Sequence, residues 1–219
     1  MLSDACYILH KRAYKDSSEL IKCLTAHHGL VDAVAKGSRN PKSKLKGQLQ
    51  PFIPCAITLS GKSGLKTLTN AEQTGINAPC AYLNHVSMLY CNELLLLLNL
   101  DQEACEVIYP VYAQTIAQLK AKGQVSLILR KFEWFLSGVQ GYELSLPNQS
   151  VASDLITFDP SLGLQVTRGK QGCSQQTITD FLANQTIDNE QLRAMNRLMR
   201  AVVNHLVNGK TIQSRLLLK

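Results

Sequence analysis

A chain of 219 residues with a 45% apolar fraction and a mean hydropathy of −0.04 suits one large domain or two small ones with a real core, and this excludes a disordered tail. Its formal charge of +7 is unevenly placed. Residues 1–32 are neutral, 33–71 hold seven Lys and Arg and no acid, 72–190 carry six more acids than bases, and 191–219 hold six bases and no acid. Seven scattered cysteines without a Cys-x-x-Cys, no signal peptide, and no run of roughly 20 mostly apolar residues predict reduced thiols, a cytoplasmic protein and no membrane partner.

In chain order, residues 6–12, 19–25 and 30–36 read as three short strands, with His28-Gly29 as the turn before the third. A long basic loop follows. Residues 52–60 and 65–70 form two more strands around a tight turn at 61–64. Five short strands and one long loop fit a small Greek-key barrel of the OB type over residues 1–77.

Near Pro79 the period becomes helical, and residues 78–219 read as a mainly α-helical domain, making the chain α+β and multidomain. Helices are expected at 81–100, at 103–121 with Pro110 as a kink or break, and at 124–138. Residues 141–172 form an irregular insert with a hairpin around Ser161–Gly163. A short helix is expected at 177–183. A last helix runs from the Asp188 cap, with Gln191 three residues on, to about residue 208, with Gly209 as its C′ residue. The last helix places Arg193, Arg197 and Arg200 on one face, and with Lys210, Arg215 and Lys219 they form a second cationic surface.

The acid-free loop, with Lys36, Arg39, Lys42, Lys44 and Lys46 interleaved with Gly, Ser, Asn and Pro, suits contact with a nucleic-acid backbone better than base readout. Stacking aromatics are sparse there (Tyr7, Tyr14 and Phe52), so electrostatics should dominate over stacking. Ser60-Gly-Lys-Ser63 resembles the end of a phosphate-binding P-loop, but Ala56 stands where that motif needs glycine and a strand follows it. His27-His28 reads as a turn before Gly29, since no cysteine or carboxylate cluster stands nearby at metal spacing, and His85 and Cys91 read as packing residues. No hydrolase, zincin or dinucleotide motif is present, and nothing in the chain argues for an enzyme, a cofactor or a small-molecule substrate.

The residues also resemble a known family, the bacterial RecO recombination mediators. The matching blocks are Tyr7-Ile-Leu-His-Lys-Arg12, Leu30-Val-Asp-Ala-Val-Ala-Lys-Gly-Ser-Arg39, Leu45-Lys-Gly-Gln-Leu-Gln-Pro-Phe52 and Leu65-Lys-Thr-Leu-Thr-Asn-Ala-Glu72. Further on come Tyr90-Cys-Asn-Glu-Leu-Leu95, Leu129-Arg-Lys-Phe-Glu133 with Gly141-Tyr142, and Gly209-Lys-Thr-Ile-Gln-Ser-Arg-Leu216. These blocks cover nearly the whole chain in order. The resemblance implies an OB domain and a helical domain, binding of single- and double-stranded DNA, and strand annealing. It also implies work with RecR to load RecA onto SSB-coated strands, in DNA repair and recombination by the RecF pathway at the nucleoid.

Lys11, Arg12, Lys36, Arg39, Lys42, Lys44, Lys46, Lys62 and Lys66 are the DNA-binding candidates. By position, the resemblance makes Arg130, Lys131 and Trp134 candidates for binding the acidic, apolar SSB tail. Many members of the family carry a Cys-x-x-Cys zinc site in the helical domain. Here residues 142–172 hold no cysteine and Cys173 stands alone, so zinc is not expected. The alternative is a generic nucleic-acid-binding adaptor, for RNA or duplex DNA, without an SSB partnership.

Overall fold

The computed structural model describes residues 1–61, 64–121, 123–148 and 150–218. The chain divides into two compact units, Met1–Lys122 with Ile212–Lys219, and Gly123–Thr211. Among the described residues, no helix is long and apolar enough to cross a membrane.

In the first unit β1 (Leu2–Tyr14), β2 (Ser18–Thr25), β3 (Leu30–Ala35), β4 (Pro54–Ser60) and β5 (Lys66–Gln73) close a barrel in the order β1-β2-β3-β5-β4. Only the β3–β5 pair is parallel. This is the OB-type barrel expected. Ile21 and Cys23 of β2 point inward with Cys6, Ile8, Val31, Ala33 and Ile57, while Leu20 and Lys22 point outward. Small Cys and Ala side chains among the branched ones suit the narrow interior of a five-stranded barrel. β1 extends beyond its expected end because residues 10–14, mostly polar and exposed, pair with residues 18–22.

The change from strand to helix near 77–78 lies inside this unit. Helices α1 (Tyr82–Leu97) and α2 (Gln102–Lys120) bury apolar residues on the barrel's outer face. Tyr7 packs against Tyr109 and Tyr112, with ring centroids 5.7 and 5.1 Å away. Asn92 donates to the Leu9 carbonyl at 2.8 Å and accepts from the Tyr112 hydroxyl at 2.6 Å, tying α1, α2 and β1 together. α2 runs through Pro110 without the break expected as one alternative. Pro110 lies on the exposed side, while Ile108, Tyr112 and Ile116 are buried on the other and hold the helix on both sides of it. A C-terminal 3₁₀ helix (Gln213–Leu218) docks on α1 through Glu93, which accepts from the Gln213 and Ser214 backbones and from the Ser214 hydroxyl.

The second unit contains α3 (Val125–Val139), a sheet of β6 (Leu155–Asp159), β7 (Gly163–Val166) and the short β8 (Cys173–Ser174), then α4 (Gln175–Leu182) and α5 (Asn189–Leu206). The β6–β7 hairpin turns where expected, with Gly163 at φ 77°. β8 leaves no signal in the sequence, because two residues cannot display a period. Asp188 and Gln191 form the expected reciprocal cap of α5. The helix ends earlier than expected: Asn208, not Gly209, is the first residue in the left-handed region, and Gly209 follows it there.

Candidate nucleic-acid interface

The basic loop joins β3 to β4 as a chain of tight turns in which Asn40, Ser43, Lys46 and Gln48 each donate to the carbonyl three residues back, at 3.0–3.1 Å. Gly37 and Gly47 supply the positive φ values these turns require. Four anchors hold it. Ser38 donates to Glu19 at 2.7 Å and the Arg39 backbone to Ser17 at 2.9 Å. Leu49 is buried in the barrel core, and Gln73 donates to the Gly47 and Gln48 carbonyls. With the backbone pinned, Lys36, Arg39, Lys42, Lys44 and Lys46 are all exposed, and no ion pair among the described residues engages them.

A β-bulge builds the adjoining face. The β1–β2 register shifts between Ile8 and His10, so His10 stands opposite Lys22 and Arg12 opposite Leu20. One extra residue flips the side chains beyond it, and His10 and Arg12 therefore share the outer face with Lys22. Lys22 in turn stands opposite Asp32 of β3 and pairs with it at 3.2 Å. Together with Lys66, whose ammonium donates to the Gly61 carbonyl at 3.1 Å, and His28, they line a cleft of about 870 Å³ that Leu20 and Leu30 also border. Among the described residues, Asp32 is the one carboxylate that lines the cleft.

Of the remaining candidates on this unit, Lys11 is exposed but pairs with Glu19 at 3.6 Å. Lys62 and Ser63 of the rejected phosphate motif lie outside the described residues. Lys22, His10 and His28 were missed. Only the outward position of Lys22, between Ile21 and Cys23, could have signalled them. Of the expected stacking aromatics, Tyr7 and Phe52 are buried and only Tyr14 is accessible. His85, expected as a packing residue, is instead exposed, with its ring edge-on to Phe52 at 5.4 Å, whereas Cys91 is fully buried.

In the second unit Arg130 is 14% exposed and committed within the fold. It donates to Glu133, which has no exposure, and to Asn196 at 2.8 Å. Lys131 donates to Asn184. Trp134 packs against Phe181 at 5.8 Å and lines a cavity of about 580 Å³ with Phe135, Val139, Leu144 and Leu182, where Glu143 is the one charged residue among those described. Arg193, Arg197 and Arg200 are exposed on α5 and Lys210 just beyond it. Arg215 belongs to the first unit, over the Tyr90 ring at 5.5 Å, and Lys219 lies outside the described residues.

All seven thiols are free and six are buried; burial pushes Cys173 up to about 12. Among the described residues, no group of three or more His, Cys, Asp and Glu is placed to hold a metal ion. With one buried thiol in its segment, the Cys173 region does not fit the zinc site of the resembled family.

Residues 1–77 match the family model described as "Recombination protein O N terminal". The whole chain is similar to proteins called "DNA repair protein RecO" in three bacteria. It is 32% identical to that of Thiobacillus denitrificans over 99% of this chain and 91% of the relative. For Vibrio atlanticus the identity is 30% over 96% and 90%, and for Methylococcus capsulatus 28% over 98% and 92%.

Proposed function

The chain belongs to the RecO family of DNA repair proteins, and from that membership we propose that it is a non-catalytic recombination mediator. In this reading it binds single- and double-stranded DNA, anneals complementary strands, and acts with RecR to load RecA onto SSB-coated DNA in the cytoplasm, at the nucleoid. The observation that carries the DNA-binding part is the anchored, acid-free loop with five exposed cations beside a cleft holding Arg12, Lys22 and Lys66. A pinned backbone spares the loop the backbone part of the ordering cost when its cations neutralise phosphates, and lower charge on two strands weakens their repulsion during pairing.

Replacing Lys42, Lys44 and Lys46 by Glu is expected to weaken single-strand binding and to lower the slope of log affinity against log salt by about 2. An unchanged slope rules the loop out as the main contact. Annealing of complementary strands precoated with SSB, with and without the protein, tests the mediator step.

A second reading, a nucleic-acid adaptor without an SSB partnership, gains support from the commitment of Arg130 to Glu133 and from Glu143 at the Trp134 cavity. Binding of an SSB-tail peptide separates the two.

A further inference from the structure

The solvent-facing side of α5 has no part in the reading above. Arg193, Arg197 and Arg200 are all exposed there, while Leu192, Met195, Met199 and Val202 are buried on its other side. Their i, i+4, i+7 spacing puts the three Cα atoms on one face, rising about 6 and then 4.5 Å along the axis. Among the described residues, no ion pair or hydrogen bond engages any of the three. Most acids of the unit are otherwise occupied. Glu133 holds Arg130, Asp154 accepts from Val151, Asp159 from Ser161 and Leu162, Asp180 from Gln176, and Asp188 caps α5. No acid follows Glu190 in the sequence.

A second element adds to this field. Arg197 lines a small cavity of about 180 Å³ with Gln171, Gly172 and Cys173, so the segment leading into β8 borders the arginine face. The charge of Arg197 also reaches the buried Cys173 thiol, where it opposes the upward push of burial. That segment carries Arg168 and Lys170, both exposed.

We propose that the α5 arginine face, flanked by Arg168 and Lys170, is a second phosphate-backbone site that holds a strand of nucleic acid. Planar guanidinium forks match phosphate oxygens bidentately, and closely spaced forks on one helix face suit a repeating polyanion. An acidic peptide would also need a home for its apolar side chains, and the cavity beside Arg197 is too small to be one. With the barrel loop occupied as well, one chain contacts two strands. That consequence rests on the reading of the barrel given above, whereas the α5 site does not.

The test uses the full chain and a fluorescent oligothymidylate in four forms: wild type, the Lys42→Glu/Lys44→Glu/Lys46→Glu variant, an Arg193→Ala/Arg197→Ala/Arg200→Ala variant, and the two combined. The alanine triple is expected to lower the salt slope by about 2. It should also abolish energy transfer between donor- and acceptor-labelled oligothymidylates bound to one chain. An Arg→Lys triple, which keeps the charge, should retain most of the slope, separating lost charge from lost fold. An unchanged slope with unchanged energy transfer overturns the proposal. So does loss of binding to a polyglutamate peptide while DNA binding stays intact. If the arginine variant loses binding and the loop variant does not, the α5 site stands and the barrel reading falls; the reverse result removes the α5 site alone.

Discussion

Asp4 gathers four N–H donors on two oxygens. The Ala5 backbone and His27 Nδ1 reach Oδ1 at 2.8 and 2.9 Å, and the His27 backbone and His28 Nδ1 reach Oδ2 at 2.9 Å each. The carboxylate is 3% exposed and pins the β2–β3 turn to the first strand. Burial alone would raise its pKa, but the bonds from His28, His27 and Ala5 outweigh it and hold the group below its ordinary value. The hydrogen bond and the charge of Asp4 raise His27 above its ordinary value, with Glu106 adding to the effect. The Asp4 contribution is present above the unfolded carboxylate pKa and is lost as pH falls through the lowered folded value. The His27 contribution is full below the unfolded imidazole pKa and is lost as pH rises through the raised one. The contact is therefore strongest between about pH 4 and pH 6.5. Asp4→Asn turns an amide NH₂ toward N–H donors and removes the charge. It should cost about 1–2 kcal/mol near pH 6, at the low end because the histidines are largely solvated. Urea unfolding of both proteins at about pH 6 and about pH 9 should show the gap shrinking at the higher pH; an equal gap at both would mean that the imidazolium charge contributes nothing.

At the scale of the element, α3 sets Arg130, Lys131 and Trp134 within about one turn yet uses them differently. Arg130→Ala takes the guanidinium from a fully buried carboxylate and should destabilise the second unit by about 3–5 kcal/mol. Weaker peptide binding by that variant would report unfolding as much as recognition. Lys131→Glu changes a cation bonded, among the described residues, only to the Asn184 side chain, so it should keep the wild-type melting temperature and weaken an SSB-tail peptide by about tenfold, or 1.4 kcal/mol. Wild-type affinity in Lys131→Glu, read by fluorescence anisotropy, would discard the tail site on α3. Periodicity places these residues on a helix, but it cannot distinguish a free arginine from one already paired three residues away. The barrel was legible because five short β-rich runs follow one another and Gly29, Gly61 and Gly64 mark two of its turns. The outer face was not, because the bulge after Ile8 re-aims His10 and Arg12, and only pairing with β2 reveals it. Asp4 was invisible for the same reason: its partners stand over twenty residues away.

For the whole molecule, the match to the family's N-terminal model ends at residue 77, but the folding unit does not. Tyr7 and Leu9 face away from the barrel interior and are buried with the help of α1 and α2, so a 1–77 fragment would expose apolar surface on the strand that closes the barrel. The same unit recruits the end of the chain. Glu93 of α1 takes three hydrogen bonds from Gln213 and Ser214, Tyr82 donates to the Leu217 carbonyl at 3.0 Å, and Ile212 is buried. The 89 residues of Gly123–Thr211 are thus inserted into a unit whose two pieces must meet to complete it. Removing residues 212–219 should cost that unit about 2–4 kcal/mol, chiefly by stripping partners from Glu93 and uncovering α1. The second unit loses no residue and should keep its own stability. Amide hydrogen exchange resolves the two: protection in α1 and the barrel should fall while that in α3 and α5 stays. Equal loss in both units would show that they unfold as one, and unchanged protection in α1 would show that the docked 3₁₀ helix carries no stability. Glu93→Gln keeps the chain length and still accepts hydrogen bonds, but without charge. It should therefore give a smaller loss confined to the same amides, tracing the effect to the carboxylate rather than to truncation itself.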